Sequence, residues 1–164
     1  ETQEETLDML ARMYRVQGLS RQETVRELLV RVDVLPPSLI LAQAAVESGW
    51  GTSRFSREGN NLFGLRTPTG NGMVPSRRPS EETYAVSCFD DLQSCVDYYL
   101  WTINTNPLYE DLRRVRSRSE PPYDACSLAQ GLMCYSEQGP EYVNKLEKVM
   151  SANSLLAYDC YRLR

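Results

Sequence analysis

The 164-residue chain contains no histidine, and that absence narrows its chemistry. Without imidazole, histidine-based nucleophile triads are excluded. Proton transfer near neutral pH then falls to carboxylates, tyrosines, lysines or cysteines. One carboxylate stands out by position. Glu47 follows the apolar run from Leu39 to Val46 and precedes Ser48-Gly49-Trp50-Gly51. An acid at the C-terminal end of a helix faces the partial negative charge of unpaired carbonyls. Desolvation beside Trp50 acts in the same direction. Both effects favour the protonated carboxyl, the form a general acid needs. The same position also suits an ordinary glutamate at a frayed helix end, so this physics leaves both readings open.

The other reactive residues say less. Cys88, Cys95, Cys126, Cys134 and Cys160 form no C-x-x-C pair. With no histidine to join them, a zinc site is not expected, nor is any cofactor. The odd count leaves at least one thiol unpaired in a monomer. One or two disulfides, for instance Cys126 with Cys134, stand beside buried free thiols as alternatives. The net charge of −4 argues against a nucleic-acid partner, because phosphate neutralisation needs a clustered basic face. The local cluster Arg113, Arg114, Arg116 and Arg118 is expected to be a solvated helix end.

Several separated segments carry a resemblance. Ala42 to Phe55 reads AQAAVESGWGTSRF and is followed by EGNNLFG from Glu58. Downstream come Ile103-Asn104-Thr105-Asn106-Pro107-Leu108-Tyr109 and Tyr135-Ser136-Glu137-Gln138-Gly139-Pro140-Glu141-Tyr142. In this order they resemble glycoside hydrolase family 73, the Bax-type and flagellar-type bacterial glucosaminidases, over about residues 35–153. The resemblance implies an α+β, predominantly helical lysozyme-like domain with a small β-lobe. It implies peptidoglycan glycan strands as substrate, cut at β-1,4 bonds after N-acetylglucosamine, with Glu47 as general acid. The second group that such a reaction requires is open between Glu81, Glu82 and the substrate's own N-acetyl group. Substrate contacts are implied for Tyr135, Tyr142, Asn60, Asn61, Trp50 and Ser48, with Trp50 also read as packing beneath the active-site helix. A lytic transglycosylase on the same fold and an inactive wall-binding module are the alternatives.

These residues need elements to hold them. Leu7, Leu10, Ala11 and Tyr14 recur at helical spacing, and Ser20 with Glu23 forms a capping box for a second helix. Pro36-Pro37 opens a third helix, apolar on nearly every face and so expected to be buried and central. Glycines and prolines crowd residues 60–90. They predict an irregular β-lobe with a turn at Thr69-Gly70-Asn71-Gly72 and a strand at Thr83–Val86, in which Tyr84, Val86 and Cys88 alternate with smaller residues. Asp90 or Asp91 caps the helix that follows, with Asp90 preferred as cap over catalytic base. Short helices are expected at 108–118, 124–132 and 141–150. The expectation is one domain over 1–164, with a helical extension at 1–34, a catalytic core at 35–153 and the lobe at about 60–90. A monomer is expected. No apolar run approaches the roughly 20 residues that span a bilayer. The chain opens on Glu1-Thr2-Gln3-Glu4-Glu5 without an export signal, yet the resemblance implies a periplasmic or extracellular place in the bacterial envelope.

Overall fold

The computed structural model describes residues 2–67, 72–76 and 78–160. Its order is α1 (Gln3–Met13), α2 (Arg21–Arg31), α3 (Pro37–Ser48), α4 (Arg54–Gly59), β1 (Arg66–Thr67), β2 (Ala85–Val86), α5 (Leu92–Thr105), α6 (Glu110–Arg116), α7 (Ala125–Ala129) and α8 (Pro140–Ala152). Single 3-10 segments at Pro107–Tyr109, Gln130–Tyr135 and Leu155–Cys160 complete it. The architecture is the expected one: predominantly helical α+β, with one small antiparallel sheet. The chain forms two compact units, one of Glu1–Leu39 with Leu100–Arg164, the other of Ile40–Tyr99.

Capping explains most boundaries. Ser20 and Glu23 form the capping box read from the sequence, and Thr2 with Glu5 forms another. In α5 the cap is Asp91, not Asp90: its Oδ1 accepts from Ser94 N–H at 2.7 Å, and that bond holds the Asp91 carboxyl below the usual range. Asn106 caps the 3-10 segment ahead of α6, and Asp124 caps α7. Pro37 opens α3, whose Ser38 donates through both N–H and Oγ to Asp159. The helix is less buried than expected. Leu39, Ala42 and Gln43 are fully buried, but Leu41 is 43% exposed.

Within the 40–99 unit, β1 pairs with β2 so that Arg66 faces Val86 and Thr67 faces Ala85. Val86 also exchanges both backbone hydrogen bonds with Met73. The expected alternation fails for that reason. With a neighbour on either side, Ala85 and Val86 are both buried, while Cys88 is exposed. Thr69-Gly70-Asn71 lies outside the described residues.

The cysteines and the arginine cluster bear on two further expectations. All five cysteines are free thiols, the second of the two alternatives, with no Cys126–Cys134 bridge, though only Cys95 is buried. The arginine cluster is only in part a solvated helix end: Arg114 and Arg118 are exposed, but the other two are not. Arg113 is 3% exposed and Arg116 is fully buried. Arg113 donates to the Ile103 and Asn106 carbonyls. Arg116 donates to the Val30, Arg31, Asp33 and Val34 carbonyls and to Asn104 Oδ1. Its Nε lies 3.5 Å from Asp33 Oδ2, near enough for charge pairing but without a hydrogen bond. Burial draws the guanidinium pKa down, and Asp33 opposes that. A helix leaves its last carbonyls unpaired, and those of α2 are completed here by one distant side chain.

Candidate active site

Glu47 occupies the penultimate position of α3 and is half-buried. The chain leaves that helix by an unusual route. Gly49, Trp50 and Gly51 have successive φ values of +59°, +57° and +73°. Trp50 N–H donates back to Ala45 C=O at 2.8 Å, the long bond of a Schellman ending. Ser48 Oγ donates to Ala44 C=O at 2.6 Å and accepts from Gly51 N–H at 2.7 Å. Ser48 is only 2% exposed, so its hydroxyl is committed to the turn rather than to a ligand.

Trp50 corrects another expectation. It is 61% exposed and does not pack beneath the helix. The reason is its backbone: the left-handed conformation turns the chain outward at once after Gly49. For a bulky side chain that conformation is strained by roughly 1–2 kcal/mol. The turn tolerates it because hydrogen bonds fix the residues on both sides.

The segment after α4 completes the surroundings of the acid. Asn60 is left-handed, and its amide donates to the Phe89 and Asp90 carbonyls. Asn61 is 1% exposed. Its Nδ2 donates to the Leu65 and Ser87 carbonyls, and its Oδ1 accepts from the Phe63 and Leu65 N–H groups. Asn61 therefore builds the loop and has no capacity left for a sugar. The loop it builds brings Gly64 against Glu47. A Cβ placed on Gly64 would lie 3.8 Å from Glu47 Oε2. Glycine is needed there for its φ of +66°, and it leaves the ground beside the carboxylate clear.

Beneath the acid lies a polar pair that the sequence reading passed over. Gln43, one helical turn before Glu47, accepts a hydrogen bond from the Tyr99 hydroxyl, and both residues are fully buried. The Tyr99 ring stacks on Phe63 at 4.0 Å. The clue was in the sequence: Gln43 is the one polar residue inside the apolar run, at i−4 from Glu47. Cys95 closes this core, accepting from Leu62 N–H, and burial pushes its thiol pKa up.

Glu81 and Glu82 are both exposed, in a turn closed by Glu82 N–H donating to Pro79 C=O. The remaining candidates belong to the other unit. Tyr135 stacks parallel to Tyr142, with ring centroids 5.7 Å apart, and Tyr109 tilts against it at 5.9 Å. Tyr142 and Tyr109 are buried at 2% and 7%, leaving Tyr135 as the half-exposed ring of the three. Gly131 helps to place it, because a Cβ there would overlap Leu112 of α6. Tyr142 is thus a packing partner, and Tyr109 is a support that the sequence reading missed. Among the described residues, no group of three or more Cys, Asp or Glu is arranged to hold a metal, and no helix is long and apolar enough to cross a membrane.

Comparison with known proteins bears on this arrangement. The sequence profile described as "Mannosyl-glycoprotein endo-beta-N-acetylglucosaminidase" matches residues 22–155. Protein bax of Escherichia coli is 32% identical over 152 residues, covering 90% of this chain and 54% of its own length. Peptidoglycan hydrolase FlgJ of Vibrio parahaemolyticus is 33% identical over 96 residues, covering 51% of this chain and 31% of its own length. The chain thus spans about half the length of one relative and under a third of the other. No solved structure matches it.

Proposed function

This chain belongs to the glucosaminidase family, and on that premise we propose that it hydrolyses peptidoglycan at the β-1,4 bond after N-acetylglucosamine, with Glu47 as general acid. The substrate class is supported by the similarity to a protein named as a peptidoglycan hydrolase. The observation that carries the acid is local. Glu47 stands one residue before the end of a largely apolar helix, and its Oε2 lies beside a residue with no side chain, Gly64.

In this reading Glu47 gives its proton to the leaving glycosidic oxygen. Positive charge then develops on the sugar ring, and water takes the anomeric carbon. Glu81, Glu82 or the substrate's N-acetyl group meets that charge. The exposed Trp50 and the half-exposed Tyr135 are the aromatic faces suited to sugar rings. Ser48, Asn61 and Tyr142 shape and support. Residues 35–153 form the catalytic core, and the chain acts as a monomer in the bacterial envelope, periplasmic or extracellular.

Product analysis tests this reading. Purified peptidoglycan digested with the chain should release fragments with N-acetylglucosamine at the reducing end. Fragments ending in 1,6-anhydromuramic acid, lighter by one water, would instead make it a lytic transglycosylase. Binding to insoluble wall without any release would make it a binding module.

A further inference from the structure

Arg66 is exposed on β1 and has a partner of an uncommon kind. Its guanidinium lies over the Tyr84 ring, 4.0 Å from the centroid. Among the described residues it makes no ion pair or side-chain hydrogen bond, although Glu81 and Glu82 lie in the same lobe. Arg54 of this unit also lies over a ring, that of Phe55 at 5.2 Å, but its guanidinium is tied to backbone as well, as is that of Arg78. Arg54 donates to Val74 C=O, and Arg78 donates to Tyr84 C=O, fixing the backbone of the residue on which Arg66 rests.

The register explains the stacking. Arg66 faces Val86 across the sheet, which makes Tyr84 its diagonal neighbour on the same face. A guanidinium held over a ring is steadied, while the N–H donors that do not face the ring stay open. That is the geometry for bidentate capture of a carboxylate. The location matters as well. Arg66 is two residues beyond Gly64, whose Cβ position is 3.8 Å from Glu47 Oε2. Two residues of chain span at most about 7 Å, so the backbone of Arg66 lies near the acid.

We propose that Arg66, held over Tyr84, is a carboxylate-reading residue that engages the acidic groups of the peptidoglycan strand near the scissile bond. This rests on the hydrolase reading for its substrate. The carboxylate has two sources: the stem peptide, or the lactyl group of a muramic acid stripped of its peptide.

Three preparations of one insoluble peptidoglycan separate the cases: intact, with its carboxylates amidated, and stripped of stems by an amidase. Binding is read by cosedimentation and cutting by fragment release. The wild-type chain should bind either the intact or the stripped material about tenfold more tightly than amidated material. Arg66→Gln should lose that preference, Arg66→Lys should keep only part of it, and Tyr84→Leu should reduce it. Tight binding to intact wall assigns the stem carboxylates, whereas tight binding only to stripped strands, where the amidase has freed the lactyl group, assigns the lactyl carboxylate. If the wild type binds amidated wall as tightly as it binds both other preparations, or Arg66→Gln keeps the full preference, the proposal is overturned. Failure of the hydrolase reading looks different: no fragments are released from any preparation, while cosedimentation still reports on Arg66. An unchanged melting temperature shows that each variant is folded.

Discussion

The ends of α2 and α3 are both polar, and they are completed in opposite ways. At α2 the final carbonyls are met by Arg116, a buried guanidinium from 85 positions away that also pairs with Asp33 and Asn104. At α3 the ending is local: Ser48, two glycines and a left-handed tryptophan. The first solution uses a charge to make a junction, and all its partners are spoken for. The second keeps its polar bonds within a few residues and leaves Trp50 out in solvent and Glu47 half-open. A helix end tied by distant buried charge is a fixture. One tied by its own neighbours can present groups to a ligand.

That contrast can be broken at either end. The largest expected effect is at the α2 junction. Arg116→Met should destabilise the fold by about 3–5 kcal/mol, because Asp33 and several carbonyls lose their shared donor. Chemical denaturation measures it, and a loss under about 1 kcal/mol would show that Arg116 does not hold the junction.

Next come two aromatics near the acid. Phe63 is 2% exposed and stacked on Tyr99, so Phe63→Ala should cost about 3–5 kcal/mol. Trp50 is larger, yet Trp50→Ala should cost only about 1 kcal/mol because most of the ring faces solvent. Release of fragments from peptidoglycan should nevertheless fall severalfold. Equal stability losses would mean that Trp50 is a core residue after all.

The smallest effect depends on pH. Tyr123 donates to Asp33 Oδ2 at 2.6 Å, and burial together with that bond pushes its pKa from 10.0 to about 12. The unfolded chain then loses this proton at a lower pH than the folded chain. The bond's contribution is complete below pH 10 and fades as pH rises toward about 12. Tyr123→Phe should lose a few tenths to about 1 kcal/mol at pH 8 and show a flatter decline in alkali, followed by melting temperature against pH.

The helices and most caps were legible in the sequence because they follow from spacing over three or four residues. Ser20 with Glu23 is one such case. The Glu47 segment was legible as a motif, with its glycines marking the turn. What stayed hidden depended on partners far along the chain. Arg116 reads as a surface charge until Val30 and Asp33 arrive beside it. Trp50 reads as core by its composition, and only the left-handed backbone sends it outward. Asn60 and Asn61 read as ligand-facing amides, yet the carbonyls they bond come from residues up to 30 positions later. The stacking of Arg66 on Tyr84 needs the strand register, which no local pattern encodes.

Glu47 carries the proposed chemistry. Glu47→Gln keeps the size of the side chain and the hydrogen-bonding shape of the turn but cannot give up a proton as an acid. Melting temperature should stay within a few degrees of wild type, while the rate of fragment release from peptidoglycan falls by at least about 100-fold. A variant that melts like the wild type and still cuts at the wild-type rate would contradict the assignment of the acid.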